Sequence, residues 1–160
     1  MLLYHGSNMV VARPEIRQGL RAMDFGPAFY TTSSKEQAMR WARSVARIRR
    51  KGTPTVNIYE LDEQFIHTLC IQKFETATEE WLDFVVENRK FKYSGISYDL
   101  VIGPIANDTT IKVIDYYMEG TYTKQEAINH LLPQNLKDQF AFLTEKALSF
   151  LTYREHEIHV

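Results

Sequence analysis

The chain starts with Leu2-Leu3-Tyr4-His5-Gly6-Ser7, which carries two groups able to do chemistry. Leu2 to Tyr4 is a short apolar run of the kind that makes a buried strand. His5 and Gly6 follow at its end, where a side chain and a bare backbone can both face a cleft. The neutral imidazole offers one donor and one acceptor nitrogen. Glycine lacks a Cβ, so a ligand can approach the main chain closely. A second stretch, Asp24-Phe25-Gly26-Pro27-Ala28-Phe29-Tyr30-Thr31-Thr32, is a glycine-proline turn running into a short aromatic and β-branched strand with Tyr30 in its middle.

The elements that must position these residues follow in order. Ser7 to Ile16 reads as a loop, with Pro14 keeping Arg13 extended. Residues 18–24 read as a connection over the mouth of a cleft. Ser33 and Glu36 have capping-box spacing and open a helix. Its core face is read as Ala38, Trp41, Ala42, Val45 and Ala46. Arg40, Arg43 and Arg47 line another side, and Arg49, Arg50 and Lys51 follow. This basic cluster is read as a solvated helix face suited to the negative end of the helix dipole, with a platform for RNA or DNA as the competing reading. Gly52-Thr53-Pro54 breaks the helix.

Strands are expected over 55–61, 65–71 (strand or strand-turn), 98–104 and 138–143, with an edge strand in the tail from Ser149. Helices are expected over 78–88, where Trp81, Leu82, Phe84, Val85 and Val86 give the buried side, from Asn107 to Gly120, and from the Thr123/Glu126 capping box through Leu132. Asp99 is expected to be a hydrogen-bonded carboxylate or cap.

With 160 residues, 44% of them hydrophobic, the chain can build one domain with a real core, read as residues 1–160. No apolar run is long enough to cross a bilayer, and no signal-peptide pattern opens the chain. The expectation is a cytoplasmic protein with no membrane partner. One cysteine rules out an internal disulfide framework, and Cys70 is expected to be a small buried hydrophobe. The five histidines form no close set with Cys or Glu at a metal spacing, so no metal is expected. A net charge of −1 gives no global drive toward nucleic acid.

A strand with His-Gly, then a glycine turn and a strand with Phe-Tyr, resembles the ADP-ribosyltransferase superfamily in its diphtheria-toxin and poly(ADP-ribose)-polymerase-like branch. The wider pattern, with Phe-Tyr-Thr-Thr, Gln37-Ala38 and Trp41-Ala42, is similar to small bacterial domains of that superfamily. The resemblance implies an α+β fold: an ADP-ribosyltransferase-like split antiparallel β-sandwich with flanking helices. It implies NAD as substrate, with His5, Gly6, Ser7, Tyr30 and Arg13 as binding residues. Arg13, Arg17 and Arg21 are candidate contacts to the pyrophosphate, because guanidinium groups suit phosphate oxygens, though for any one of them a solvated surface arginine is the favoured reading. It places the third motif residue, usually Glu, at Gln139, giving His5, Tyr30 and Gln139 as the catalytic set.

In that setting the Gly6 backbone would pair with the nicotinamide carboxamide. The Tyr30 ring would stack on the pyridinium, and a His5 nitrogen would bond a ribose hydroxyl. Gln139 is neutral and cannot be a general base, so single transfer is expected rather than chain elongation. Glu36, Asp24 and Asp108 are candidates for deprotonating an acceptor. By resemblance the protein is a mono-ADP-ribosyltransferase acting on a protein or nucleic acid. The implied setting is an intracellular toxin paired with an antitoxin protein or a phage-defence system. An NAD- or ADP-ribose-binding pseudoenzyme and an NAD hydrolase are the alternatives.

Overall fold

The computed structural model describes residues 1–18, 23–64, 66–106 and 108–159. The expected connection over 18–24 falls partly outside them. Arg21, Phe65 and Asn107 lie outside altogether, as does the side chain of Asp108.

Short strands rich in apolar and β-branched residues build two sheets. The first has the order β1 (Leu2–Ser7), β3 (Thr55–Leu61), β7 (Leu151–Ile158) and is antiparallel throughout. The second has the order β2 (Phe29–Thr31), β6 (Asp138–Phe142), β5 (Leu100–Pro104), β4 (Ile71–Lys73), with β4 parallel to β5. β3 is buried at every position but one. A central strand covered on both faces requires that. Val56 and Ile58 pack on Ala38 of helix α1 (Lys35–Arg49). Tyr59 and Leu61 share a core with Phe29, Leu100, Phe140 and Phe142 of the other sheet. The opposite face of that second sheet, at Val101 and Ala141, packs on Trp81, Val85, Ile114 and Ala127. These come from helices α2 (Glu79–Arg89), α3 (Asp108–Met118) and α4 (Lys124–Leu131). The layers therefore run helix, sheet, sheet, helices, with one short helix, α5 (Glu145–Leu148), beside β6. The described residues are mixed α and β, as expected. Among them no helix is long and apolar enough to cross a membrane.

Five expectations are corrected. β1 continues to Ser7, so His5 and Gly6 lie inside the strand rather than beyond its end. The cap of α1 is Ser34, which accepts from Gln37 N–H. Ser33 is occupied elsewhere, giving its N–H and hydroxyl to Asp138 at 3.1 and 2.7 Å. Trp41 is 50% exposed, because α1 sits on β1 through Ala38 and Ala42, too closely to admit an indole beneath it. Over 65–71, expected as a strand or strand-turn, residues 66–68 form a single 3₁₀ turn and the strand β4 starts only at Ile71. Cys70 is exposed at the bend before β4. Asp99 takes its expected structural part: it accepts from Cys70 N–H and from the Thr144 hydroxyl. These bonds outweigh its partial burial and hold its carboxyl below the usual range.

Candidate functional site

His5 is half-buried, its ring against Phe29 at 4.5 Å between centroids. Its Nδ1 lies 2.7 Å from the Tyr30 carbonyl oxygen. A carbonyl only accepts, so Nδ1 carries the proton and Nε2 is the bare acceptor in the neutral ring. Burial is the main cause that lowers its pKa to about 4. The Tyr30 carbonyl opposes this, and the positive charges of Arg17 and Arg49 add to it. The ring is therefore uncharged at neutral pH.

Gly6 is buried against α1, where a Cβ would meet the Ala38 carbonyl oxygen at 2.1 Å and the Ala42 nitrogen at 2.7 Å. Its missing side chain serves helix packing. What it can offer a ligand is its main chain. Tyr4 exchanges both backbone hydrogen bonds with Thr32, across from β3. Antiparallel strands alternate the direction of these groups. Tyr4 and Gly6 thus point their N–H and C=O away from β3, while Leu3, His5 and Ser7 point theirs toward it. Beyond the Tyr4–Thr32 bridge, the Gly6 N–H and C=O face the side of β2, and no described residue pairs with them.

The Tyr30 ring lies on the other face of β2 from Phe29, against the helix-side core. Its hydroxyl donates to Gly26 C=O at 2.5 Å and accepts from Phe25 N–H at 3.1 Å. Burial first, with the Asp24 charge helping, raises its pKa, so the phenol stays protonated. The hydroxyl fastens the glycine-proline turn. Gln139 is on the same face of β6 as Ala141, the partner of Tyr30, which makes Tyr30 and Gln139 diagonal neighbours. Gln139 is buried, and its amide donates to Pro104 C=O at 3.4 Å. A carboxylate there would face that carbonyl oxygen, a physical reason for glutamine at this place.

The His5 ring and the Gly6 main chain are thus brought to the Tyr30 backbone where β1 and β2 part, while the Tyr30 ring lies on the far face of β2. Gln139 joins Tyr30 on the helix side, while His5 approaches β2 from between the sheets. Ser7 is buried beside them in β1. Arg13 is exposed with no partner among the described residues. Asp24 is engaged by Arg89 in a largely buried pair at 2.7 Å, and Glu36 by Arg40, so neither is a free base. A cleft of about 360 Å³ lies elsewhere, at the ends of β5 and β6 between Lys73, Gly103 and Asp138.

Sequence reasoning missed three supports. Asn57, fully buried, accepts from Val11 N–H at 2.7 Å and donates to Met9 C=O at 3.2 Å and His5 C=O at 3.4 Å. The signal was an asparagine inside an otherwise apolar, β-branched strand. Asn8 accepts from Arg49 at 2.9 Å and donates to Lys51 C=O at 2.9 Å. That contact fixes the third support, the Arg49 cation near His5.

A family model described as "Protein of unknown function (DUF3990)" matches residues 1–153. The chain belongs to the DUF3990 family. No curated protein matches it significantly. In this DUF3990 chain the match takes in every residue of the site, from His5 through Gln139.

Proposed function

We propose that this DUF3990 protein is a mono-ADP-ribosyltransferase that uses NAD as substrate, built on an ADP-ribosyltransferase-like split sandwich. The observation that carries the reading is the Gly6 peptide. Its N–H and C=O are unpaired among the described residues and face the strand of Tyr30, beside an imidazole whose Nε2 is bare. One donor and one acceptor on a single residue match a primary carboxamide. The Tyr30 ring face suits a cationic pyridinium. The His5 Nε2 suits a ribose hydroxyl. Arg17 and Arg49 suit a diphosphate, with Arg13 as a further contact.

The reaction breaks the bond between ribose C1′ and the nicotinamide ring nitrogen. The ring nitrogen keeps the electron pair and nicotinamide leaves neutral. A nucleophilic atom of the acceptor bonds to C1′ and gives up its proton to solvent water. Fixing the amide, ring and ribose against each other is the contribution of the protein's own groups. Gln139 can bond a hydroxyl but cannot take the proton, which favours a single transfer. The setting we propose, an intracellular toxin restrained by an antitoxin, rests on the family resemblance alone. The engagement of Asp24 and Glu36 favours a second reading, an NAD-binding module without turnover.

Adenine-labelled NAD with cell extract tests both. Nicotinamide release and macromolecular label are expected from the wild type. His5→Ala and Tyr30→Ala should each cost about 100-fold or more. Tyr30→Phe should stay within about tenfold, since it keeps the ring. Saturable NAD binding without release would establish the module instead. Release that is indifferent to His5→Ala and Tyr30→Ala would remove the site from the chemistry.

A further inference from the structure

Charge in this chain is segregated. Residues 35–51 hold seven of the 19 basic side chains and one of the 20 acidic ones, against a net charge of −1 for the whole. Glu36 is already engaged by Arg40, and Lys35 by Glu157 at 2.6 Å. Arg43, Arg47 and Arg50 are exposed, with no partner among the described residues. Arg40, Arg43 and Arg47 succeed one another at about one helical turn, a ridge about 10 Å long. The ridge continues around the end of α1, where Arg50 takes a left-handed conformation at φ 50°. There it meets Arg49, whose charge reaches His5. On the adjoining flank Trp41 is 50% exposed.

We propose that this outer flank of α1 is a binding surface for single-stranded nucleic acid, and that it guides the bound strand toward the His5–Tyr30 site as acceptor. The unpaired guanidiniums of Arg43, Arg47 and Arg50 match a row of phosphates. An acidic protein segment would interleave other groups and leave part of the row unmet. An exposed indole adds a stacking platform that an unpaired base can use and a paired one cannot. The acceptor role rests on the NAD reading above, whereas the binding surface does not.

Fluorescence anisotropy with a labelled 20-nucleotide RNA of mixed sequence tests the surface over a range of salt. The wild type should bind, with affinity falling steeply as salt rises. Reversing Arg43, Arg47 and Arg50 to Glu should weaken binding by about 30-fold or more and flatten the salt slope by about 2, the value for three lost phosphate contacts on a single strand. The triple variant Lys90→Glu, Lys92→Glu, Lys112→Glu makes the same charge change at exposed positions elsewhere and should bind within threefold of wild type. Circular dichroism melts confirm that both triples are folded.

Equal loss in both triples would overturn the proposal, as would no binding by the wild type. So would displacement of the RNA by polyglutamate at equal charge concentration, because the ridge would then be a face for acidic protein. Nicotinamide release from NAD alone is read in parallel. Its absence with RNA binding intact would sink the dinucleotide chemistry and leave the surface standing.

Discussion

At pH 7 the His5 ring is neutral, and folding keeps it so against an ordinary value of 6.5. Between pH 6.5 and about 4 the unfolded chain binds a proton that the folded chain refuses. The depressed pKa therefore costs nothing above 6.5, destabilises the fold progressively as pH falls, and levels off below about 4. The full effect is up to about 3 kcal/mol. Denaturant melts at pH 7 and pH 4.5 should show a larger loss for the wild type than for His5→Gln; equal losses would mean that the ring titrates normally. The sequence displayed the histidine and the glycine after it. It could not display the tautomer, which a carbonyl on another strand decides. Gln139 was found through the aromatic pattern that follows it, but its bond to Pro104 belongs to strand pairing.

Helix α1 and strand β1 meet backbone to backbone, and one glycine permits it. Gly6→Ala should cost about 3 kcal/mol in thermal or denaturant melts. Ala38→Gly should not rescue it, because the clash is with the main-chain oxygen of residue 38. A rescue would place the contact at the methyl group instead. The period of this helix was legible from Ala38, Ala42, Val45 and Ala46, but its rotation was not. Small residues decide which side sits closest to the sheet, so the largest apolar side chain is turned outward. A cap was legible where nothing competed, at Thr123. The cap of α1 slipped by one residue because Asp138, 105 residues away, holds Ser33. The stretch at 65–71 was ambiguous for the usual reason: a short apolar run fits a strand, a turn or a buried bend equally well.

Across the whole molecule, two sheets share one apolar layer, and helices cover the outer faces. Composition made a single core expected and the family resemblance implied two facing sheets, but the strand order was not legible. Nothing local tells β1 and β7, at opposite ends of the chain, to flank β3. The edge character of β7 did show in its charged run, Arg154 to Glu157. The two sheets are stitched along the β1–β2 seam by the Tyr4–Thr32 bridge and the His5 bond to Tyr30, and past those stitches the seam opens like a pair of tongs. Deuterium in the solvent can read that opening. The Tyr4 and His5 amides, locked on either side, should exchange slowly in NMR spectra. The Gly6 amide between the jaws should exchange much faster, and slow down when NAD is added. A Gly6 amide as slow as its neighbours before any ligand is present would mean that the jaws are already shut.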